Sequence, residues 1–156
     1  MARAPFQVLV IPFLRQASEE PLFCPLLRAD AGYWQWVAGG GDVGETAWRA
    51  AQREAFEETG LTGHLFQLST LSSIPVDGFA ARHTWPAELY VIPEHCFAIE
   101  ADFPGVTLSR EHREYRWAPY TEAFDLLHWH QNRTALWELS ERLKRDDLQL
   151  AVEAGK

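Results

Sequence analysis

Three glutamates, Glu54, Glu57 and Glu58, stand at i, i+3 and i+4 in a stretch free of Gly and Pro that runs over residues 46–59. On an α-helix that spacing gathers the carboxylates on one face. Like charges so placed cost a helix about 0.2–0.5 kcal/mol per pair, so the pattern brings no stability of its own. A hard divalent cation reverses the sign, because Mg²⁺ and Mn²⁺ prefer carboxylate oxygen and bridge it to phosphate. The plainer alternative is a solvated acidic face. Just upstream, Gly39, Gly40 and Gly41 form a glycine loop whose backbone can approach a ligand closely and aim N–H or C=O groups at it. Together these residues predict a metal–phosphate site.

The elements that must position them follow from propensity and pattern. Residues 46–59 are rich in Ala, Glu, Gln and Arg and read as a helix. Ala47, Ala50, Ala51, Ala55 and Phe56 give it one slim apolar side, suited to close packing on a sheet. Gly60 fits the left-handed residue just past a helix end. Residues 6–14 are apolar and β-branched and predict a buried strand, with 22–27 as its hairpin-like partner. Residues 33–37 predict a short aromatic strand feeding the glycines, so strand, loop and helix follow in the order a phosphate site needs. Downstream, 61–75 and 86–92 predict strands, with Glu88, Tyr90 and Ile92 on one face of the second. Residues 93–104 read as an irregular surface loop and 111–117 as a short strand. Residues 121–128 and 134–150 read as closing helices, the second with Leu136, Trp137, Leu139 and Leu143 as apolar positions. No repeat, low-complexity tract or linker divides the chain, so residues 1–156 predict a single domain.

The stretch 39–61 resembles the signature of Nudix hydrolases, G-x5-E-x7-R-E-U-x-E-E-x-G-U with U apolar. The matching positions are Gly39, Glu45, Arg53, Glu54, Ala55, Glu57, Glu58, Gly60 and Leu61. Seven fixed identities would coincide by chance on the order of 10⁻⁸ per start point at average composition. The resemblance implies an α/β fold, the Nudix-type α/β/α sandwich with a mixed central sheet. It also implies hydrolysis of a pyrophosphate bond in a nucleoside-diphosphate-linked compound, with Mg²⁺, or Mn²⁺ in its place, held by Glu54, Glu57 and Glu58. Glu45 and Arg53 are expected to form an ion pair that orients loop and helix. Glu111, in EHREYRW, lies where many members place a further acidic ligand or base, with Glu114 as its rival. The base is Glu54 or Glu111, and the family varies on this point.

A narrower resemblance is to the dihydroneopterin triphosphate diphosphatase and dATP pyrophosphohydrolase branch. Trp34 and Gln35 match its Trp-Gln before the signature, and Asn132 and Arg133 its Asn-Arg near the C-terminus. It implies substrate contacts from Arg3, Arg28, Trp34, Gly39, Gly40 and Asn132, and a (deoxy)nucleoside or pterin triphosphate cut to monophosphate and pyrophosphate. Trp34, Trp36 or another aromatic would stack on the ring. Surface cations and a helix cap are the plain alternatives for the polar residues. Val37 and Ala38 precede Gly39 where many members carry Pro-Gly. No SQPWPFPxS-like element, no Tyr at the dinucleoside polyphosphate spacing and no Pro at the ADP-ribose spacing is found. Other open readings are a dinucleoside polyphosphate or nucleotide-sugar hydrolase, and a non-catalytic nucleotide-binding module.

The rest of the composition bounds partners and compartment. A hydrophobic fraction of 47% with 13% aromatics indicates a globular chain, and most of the seven tryptophans are expected in or near the core. The net charge of −8 argues against nucleic-acid or anionic-membrane partners, while metal ions would supply local positive charge for a small phosphorylated substrate. Cys24 and Cys96 lack any CxxC context and read as two buried thiols, and His83, His128 and His130 show no metal-ligand spacing. No apolar run approaches membrane length and no leader pattern is seen, so a cytoplasmic protein is expected. Small members of the family often pair, so a homodimer is compatible with this chain.

Overall fold

A computed structural model describes residues 2–153. The described chain runs β1 (Arg3–Leu14), β2 (Leu22–Phe23), β3 (Leu26–Arg28), β4 (Trp34–Gln35), β5 (Val37–Asp42), α1 (Ala47–Thr59), β6 (Leu65–Pro75), β7 (Val91–Glu100), β8 (His112–Tyr115), α2 (Tyr120–Leu126), α3 (His130–Lys144) and β9 (Gln149–Leu150). Two short 3₁₀ helices, Val76–Gly78 and Ala80–Thr84, join β6 to the approach to β7.

β1 is the hub of a mixed sheet. It pairs in parallel with β7 along one edge, and antiparallel with β5 and then β2 along the other. β6 and then β9 extend the sheet beyond β7. Successive side chains of a strand point to opposite faces, so β1 feeds two cores. Val8 and Val10 pack against Ala50, Ala51 and Ala55 of α1. Leu9, Ile11 and Phe13 pack on the other face with Ala123 of α2 and Leu136 and Leu139 of α3. Helix, mixed sheet, helices is the expected α/β/α sandwich. A small antiparallel sheet, β4–β3–β8, stands beside it.

Several expected elements are different in the fold. The single strand over 22–27 is two, because Pro25 removes a ladder donor and turns the chain out of the main sheet. The glycines are not a loop: Gly39, Gly40 and Gly41 lie inside β5, paired with β1, and the turn before α1 falls at 43–46. The surface loop over 93–104 is replaced by β7, whose residues 94–100 pair with β1, while 86–90 are not strand. Pro93 disguises it, yet Pro93 sits near the strand's start, before the β1 ladder begins. α3 starts and ends earlier than expected, and β9 occupies the stretch that read as its last turn. Phe56 is 59% exposed and Trp137 53%, so neither belongs to the core.

Glu138 of α3 ties the two layers at a bulge. The β6–β7 register shifts between Gln67 and Leu71, and the freed N–H groups of Ser69 and Thr70 donate to Glu138 at 2.6 and 2.7 Å. Cys24 and Cys96 are buried and free, and burial pushes both thiols up, Cys24 to about 12. Trp36 is wholly buried, while Trp34, Trp48, Trp85 and Trp117 are half-buried. Among the described residues no helix is long and apolar enough to cross a membrane.

Candidate active site

The helix that carries the acids is fixed at both ends. Thr46 caps α1 by accepting from the Arg49 N–H, and Gly60, at φ 78°, donates its N–H to the Phe56 carbonyl at 2.8 Å. The alanine side lets α1 lie close to β5. It lies so close that a Cβ on Gly39 would collide with the Glu54 carboxylate, and one on Gly41 with the Phe6 ring. These glycines serve close approach rather than a special φ.

Arg53 organises the acids. Its Nε and Nη2 donate to the two oxygens of Glu45, each at 2.9 Å, and Nη2 also donates to the Gly40 carbonyl at 3.0 Å. Nη1 donates to Glu54 at 2.7 Å and reaches Glu57 at 3.4 Å. Glu45 in turn accepts from the Asp42 N–H at 2.9 Å. The Arg53 guanidinium holds the Glu45 carboxyl below the usual carboxylate range. Loop, strand and helix are thus joined through one side chain.

Behind this bracket, Glu54 and Glu58 are buried, whereas the Glu57 side chain is 54% exposed and turned toward Arg53. Among the described residues neither oxygen of Glu58 meets a donor at good hydrogen-bonding geometry; the Ala38 N–H and the Glu54 carboxyl are its near neighbours. Burial, then the charges of Glu54 and Glu111, drive the Glu58 carboxyl far above its ordinary value. Burial raises Glu54 too, against the opposing pull of Arg53. His112 Nδ1 stands 3.4 Å from Glu58, and both its ring nitrogens lack partners. Burial, and secondarily the Arg28 guanidinium, depress His112 to about 4. Burial thus favours the neutral form of both groups.

Exposed Glu111 completes the group: ligand atoms of Glu58, Glu111 and His112 all lie within 4.8 Å of one another. Buried oxygens and nitrogens with no protein partner, in a field of like charges, are what a divalent cation would satisfy. The donor set fits one. Of the four expected ligands, the fold brings Glu58 and Glu111 into this cluster, sets Glu54 beside Glu58, and leaves Glu57 at the rim.

A cavity of about 460 Å³ shares Ala38 and Arg28 with the surroundings of the cluster, though none of the cluster's own acids lines it. Ala38 lines it while its N–H faces Glu58, and Arg28 lines it while pairing in register with His112. Arg28 is also held by Asp30 through two bonds, at 2.8 and 2.7 Å. Asn132 reaches the cavity wall, its Oδ1 accepting from the Trp36 N–H at 3.0 Å. Arg3, on β1 opposite Asp42, donates to the Gly40 carbonyl at 2.7 Å. Trp34 does not line the cavity; its ring packs under Arg116, 5.1 Å from the guanidinium carbon. Trp36 has no exposed surface and cannot stack on a ligand, a correction to the expected aromatic contact. Tyr33, Phe79 and Trp129 supply aromatic wall instead.

Sequence reasoning missed two residues. His112 had a signal in its adjacency to Glu111, but its burial against Glu58 depends on β8 pairing with β3. Glu94 was placed in a loop and is a buried carboxylate on β7 that faces the same cavity.

The NUDIX domain family model matches residues 8–138 of this chain. A structure from Listeria monocytogenes described as a NUDIX hydrolase is similar, with 43% identity, a TM-score of 0.83, and 96% of this chain and 100% of that one covered. The E. coli dihydroneopterin triphosphate pyrophosphohydrolase shares the fold at 23% identity and a TM-score of 0.73, covering 90% and 98% of the two chains. A C. elegans Ap4A hydrolase shares it at 19% identity and a TM-score of 0.66, covering 91% and 99%. No curated protein matches this chain. With the family model spanning most of the sequence and a close structural relative spanning nearly all of it, this chain belongs to the Nudix family and is a Nudix hydrolase.

Proposed function

We propose that this protein is a Mg²⁺-dependent pyrophosphohydrolase that converts a (deoxy)nucleoside or pterin triphosphate to a monophosphate and pyrophosphate. The observation that carries this reading is Glu58, buried, with no hydrogen-bond donor at bonding geometry among the described residues, and grouped with Glu111 and His112. A negatively charged protein needs positive charge to hold a triphosphate, and this cluster is where a cation would sit.

Glu58, Glu111 and His112 would hold the metal, with Glu54 and Glu57 as further carboxylates from the same helix. When bound, Mg²⁺, or Mn²⁺ in its place, neutralises phosphate charge and acidifies water. The chain's own residues do the remainder. Arg53 and Glu45 fix the Glu54 carboxylate against β5, and Arg28 and Arg3 bracket the phosphate end from either side of the site. Glu111 is the better base: it is exposed beside Glu58, where water reaches it, whereas the Glu54 carboxylate is buried and already engaged by the Arg53 guanidinium. A water deprotonated at Glu111 would attack phosphorus in line, with pyrophosphate leaving. Asn132 and the aromatic wall would orient the ring, so the partner is a small phosphorylated molecule.

The test is release of pyrophosphate from a panel of nucleoside and pterin triphosphates, with products identified by mass. Mg²⁺-dependent release lost in Glu58→Gln is expected. Metal-independent release, or equal turnover by Glu58→Gln, would overturn the metal site, and nucleotide binding without metal-dependent turnover, unchanged in Glu58→Gln, would favour a binding module.

A further inference from the structure

Among the described residues the buried carboxylates are Glu54, Glu58 and Glu94, and only Glu94 stands apart from the metal cluster. Its Oε2 accepts from Gln7 Nε2 at 2.8 Å. Its Oε1 has no partner and is closed off from water. No cation among the described residues pairs with it, and Arg28, which shares the cavity, is engaged by Asp30. A desolvated acceptor left unmade is costly, so its retention on a central strand calls for a donor from outside the chain.

We propose that Glu94 determines ring specificity by accepting hydrogen bonds from the edge where a ring N–H stands beside an exocyclic amino group, as in guanine and in pterin rings. This deepens, and rests on, the triphosphatase reading above. In the sheet, Gly40 of β5 pairs with Gln7 of β1, and Gln7 pairs with Glu94 of β7. Glu94 thus lies two strand spacings, about 10 Å, from the glycine strand at the phosphate end. That span leaves room for a sugar or polyol between phosphate and ring.

A carboxylate only accepts, and it is best met by two parallel N–H donors. The shared guanine and pterin edge offers that pair. Adenine sets an acceptor nitrogen beside its amino group, and uracil flanks its N–H with carbonyls, so either would bring lone pairs against lone pairs. The terminal torsion is broad for glutamate and turns both oxygens together, so a ligand would meet the carboxylate by a turn that Gln7, which lines the same cavity, follows. Tyr33 and Phe79 offer ring faces for stacking in the same cavity.

The test compares kcat/KM for GTP, ITP, ATP, UTP and dihydroneopterin triphosphate; ITP keeps the ring N–H and lacks only the amino group. Either GTP or the pterin triphosphate is expected to exceed ITP by at least about tenfold, and whichever leads assigns purine or pteridine. Glu94→Gln is expected to bring that ratio near unity. Wild-type ratios near unity for both arms, or a ratio kept by Glu94→Gln, would overturn the assignment. If no triphosphate is hydrolysed, the triphosphatase reading falls by itself, and metal-free calorimetry still decides Glu94. There, GMP binding at least about tenfold tighter than IMP supports it, and equal binding of the two overturns it.

Discussion

Gly39 of β5 and Glu54 of α1 lie so near each other that the space a Cβ would need is already filled by the carboxylate. The contact ties a glycine to the acidic site through the carboxylate for which it leaves room. Gly39→Ala is expected to push Glu54 from its bond with Arg53 and lower Mg²⁺-dependent turnover by about 10–100-fold, the usual cost of losing a supporting group at a metal site. Gly44→Ala is the control: its Cβ would meet nothing, but at φ 87° it strains the backbone. It should lose about 1 kcal/mol of stability and keep its activity per folded molecule. Steady-state rates and thermal melts on both variants check the contrast.

Arg53 makes bonds that a lysine cannot copy, because a single ammonium lacks the planar fork that spans both Glu45 oxygens. Arg53→Lys should therefore lower kcat by about tenfold or more while KM changes little, since the side chain positions Glu54 rather than touching substrate. A change confined to KM would contradict that positioning.

The pH dependence of stability separates Glu58 from its neighbours. Its folded value is raised, so its contribution is full below the ordinary glutamate range and is lost as pH rises. His112 runs the other way: its value is depressed to about 4, so its contribution is full above the ordinary histidine value and is lost as pH falls toward about 4. Comparing wild type with Glu58→Gln isolates the first effect. In EDTA the variant should melt higher than wild type near pH 8, with the gap closing toward about pH 4. Mg²⁺ should raise the wild-type midpoint, more so at higher pH because binding needs the ionised carboxylate, and should leave the variant nearly unmoved.

Glu138 offers a test away from the cluster. Burial alone would raise its carboxyl, but the N–H groups of Ser69 and Thr70, the Thr70 hydroxyl and Arg142 together hold it below the ordinary value. That contribution is present above the ordinary glutamate range and is lost as pH falls through the folded value. Glu138→Ala should cost about 2–4 kcal/mol in urea unfolding near neutral pH, less in acid, and leave kcat per folded molecule unchanged.

How far each part of the molecule could be read in advance depends on the range of the forces that shape it. α1, its cap at Thr46 and the left-handed Gly60 are set by neighbours within a turn or two, and they stand as the local pattern predicts. The role of the glycines was misplaced because a tight strand–helix seam is a property of two surfaces, not of three letters in a row. β7 was hidden for a related reason. Pro93, Glu94 and His95 look like loop residues until β1 and β6 are laid on either side of them. Glu94 and His112 could only be seen as buried once those strands were paired. Trp36 was misjudged because its ring nitrogen finds the Asn132 carbonyl, at 2.9 Å, deep inside the core.

The parallel ladder between β1 and β7 bears on how the chain is made. Gln7 meets Glu94, 87 positions later, so a nascent polypeptide leaving the ribosome holds the apolar β1 without β7 until that whole interval has been synthesised. During that interval β5 is the partner within reach, and its glycines present little side chain to hide the aliphatic row. Slower synthesis across the interval between those two strands should therefore lower soluble yield, which synonymous-codon variants confined to that interval would reveal.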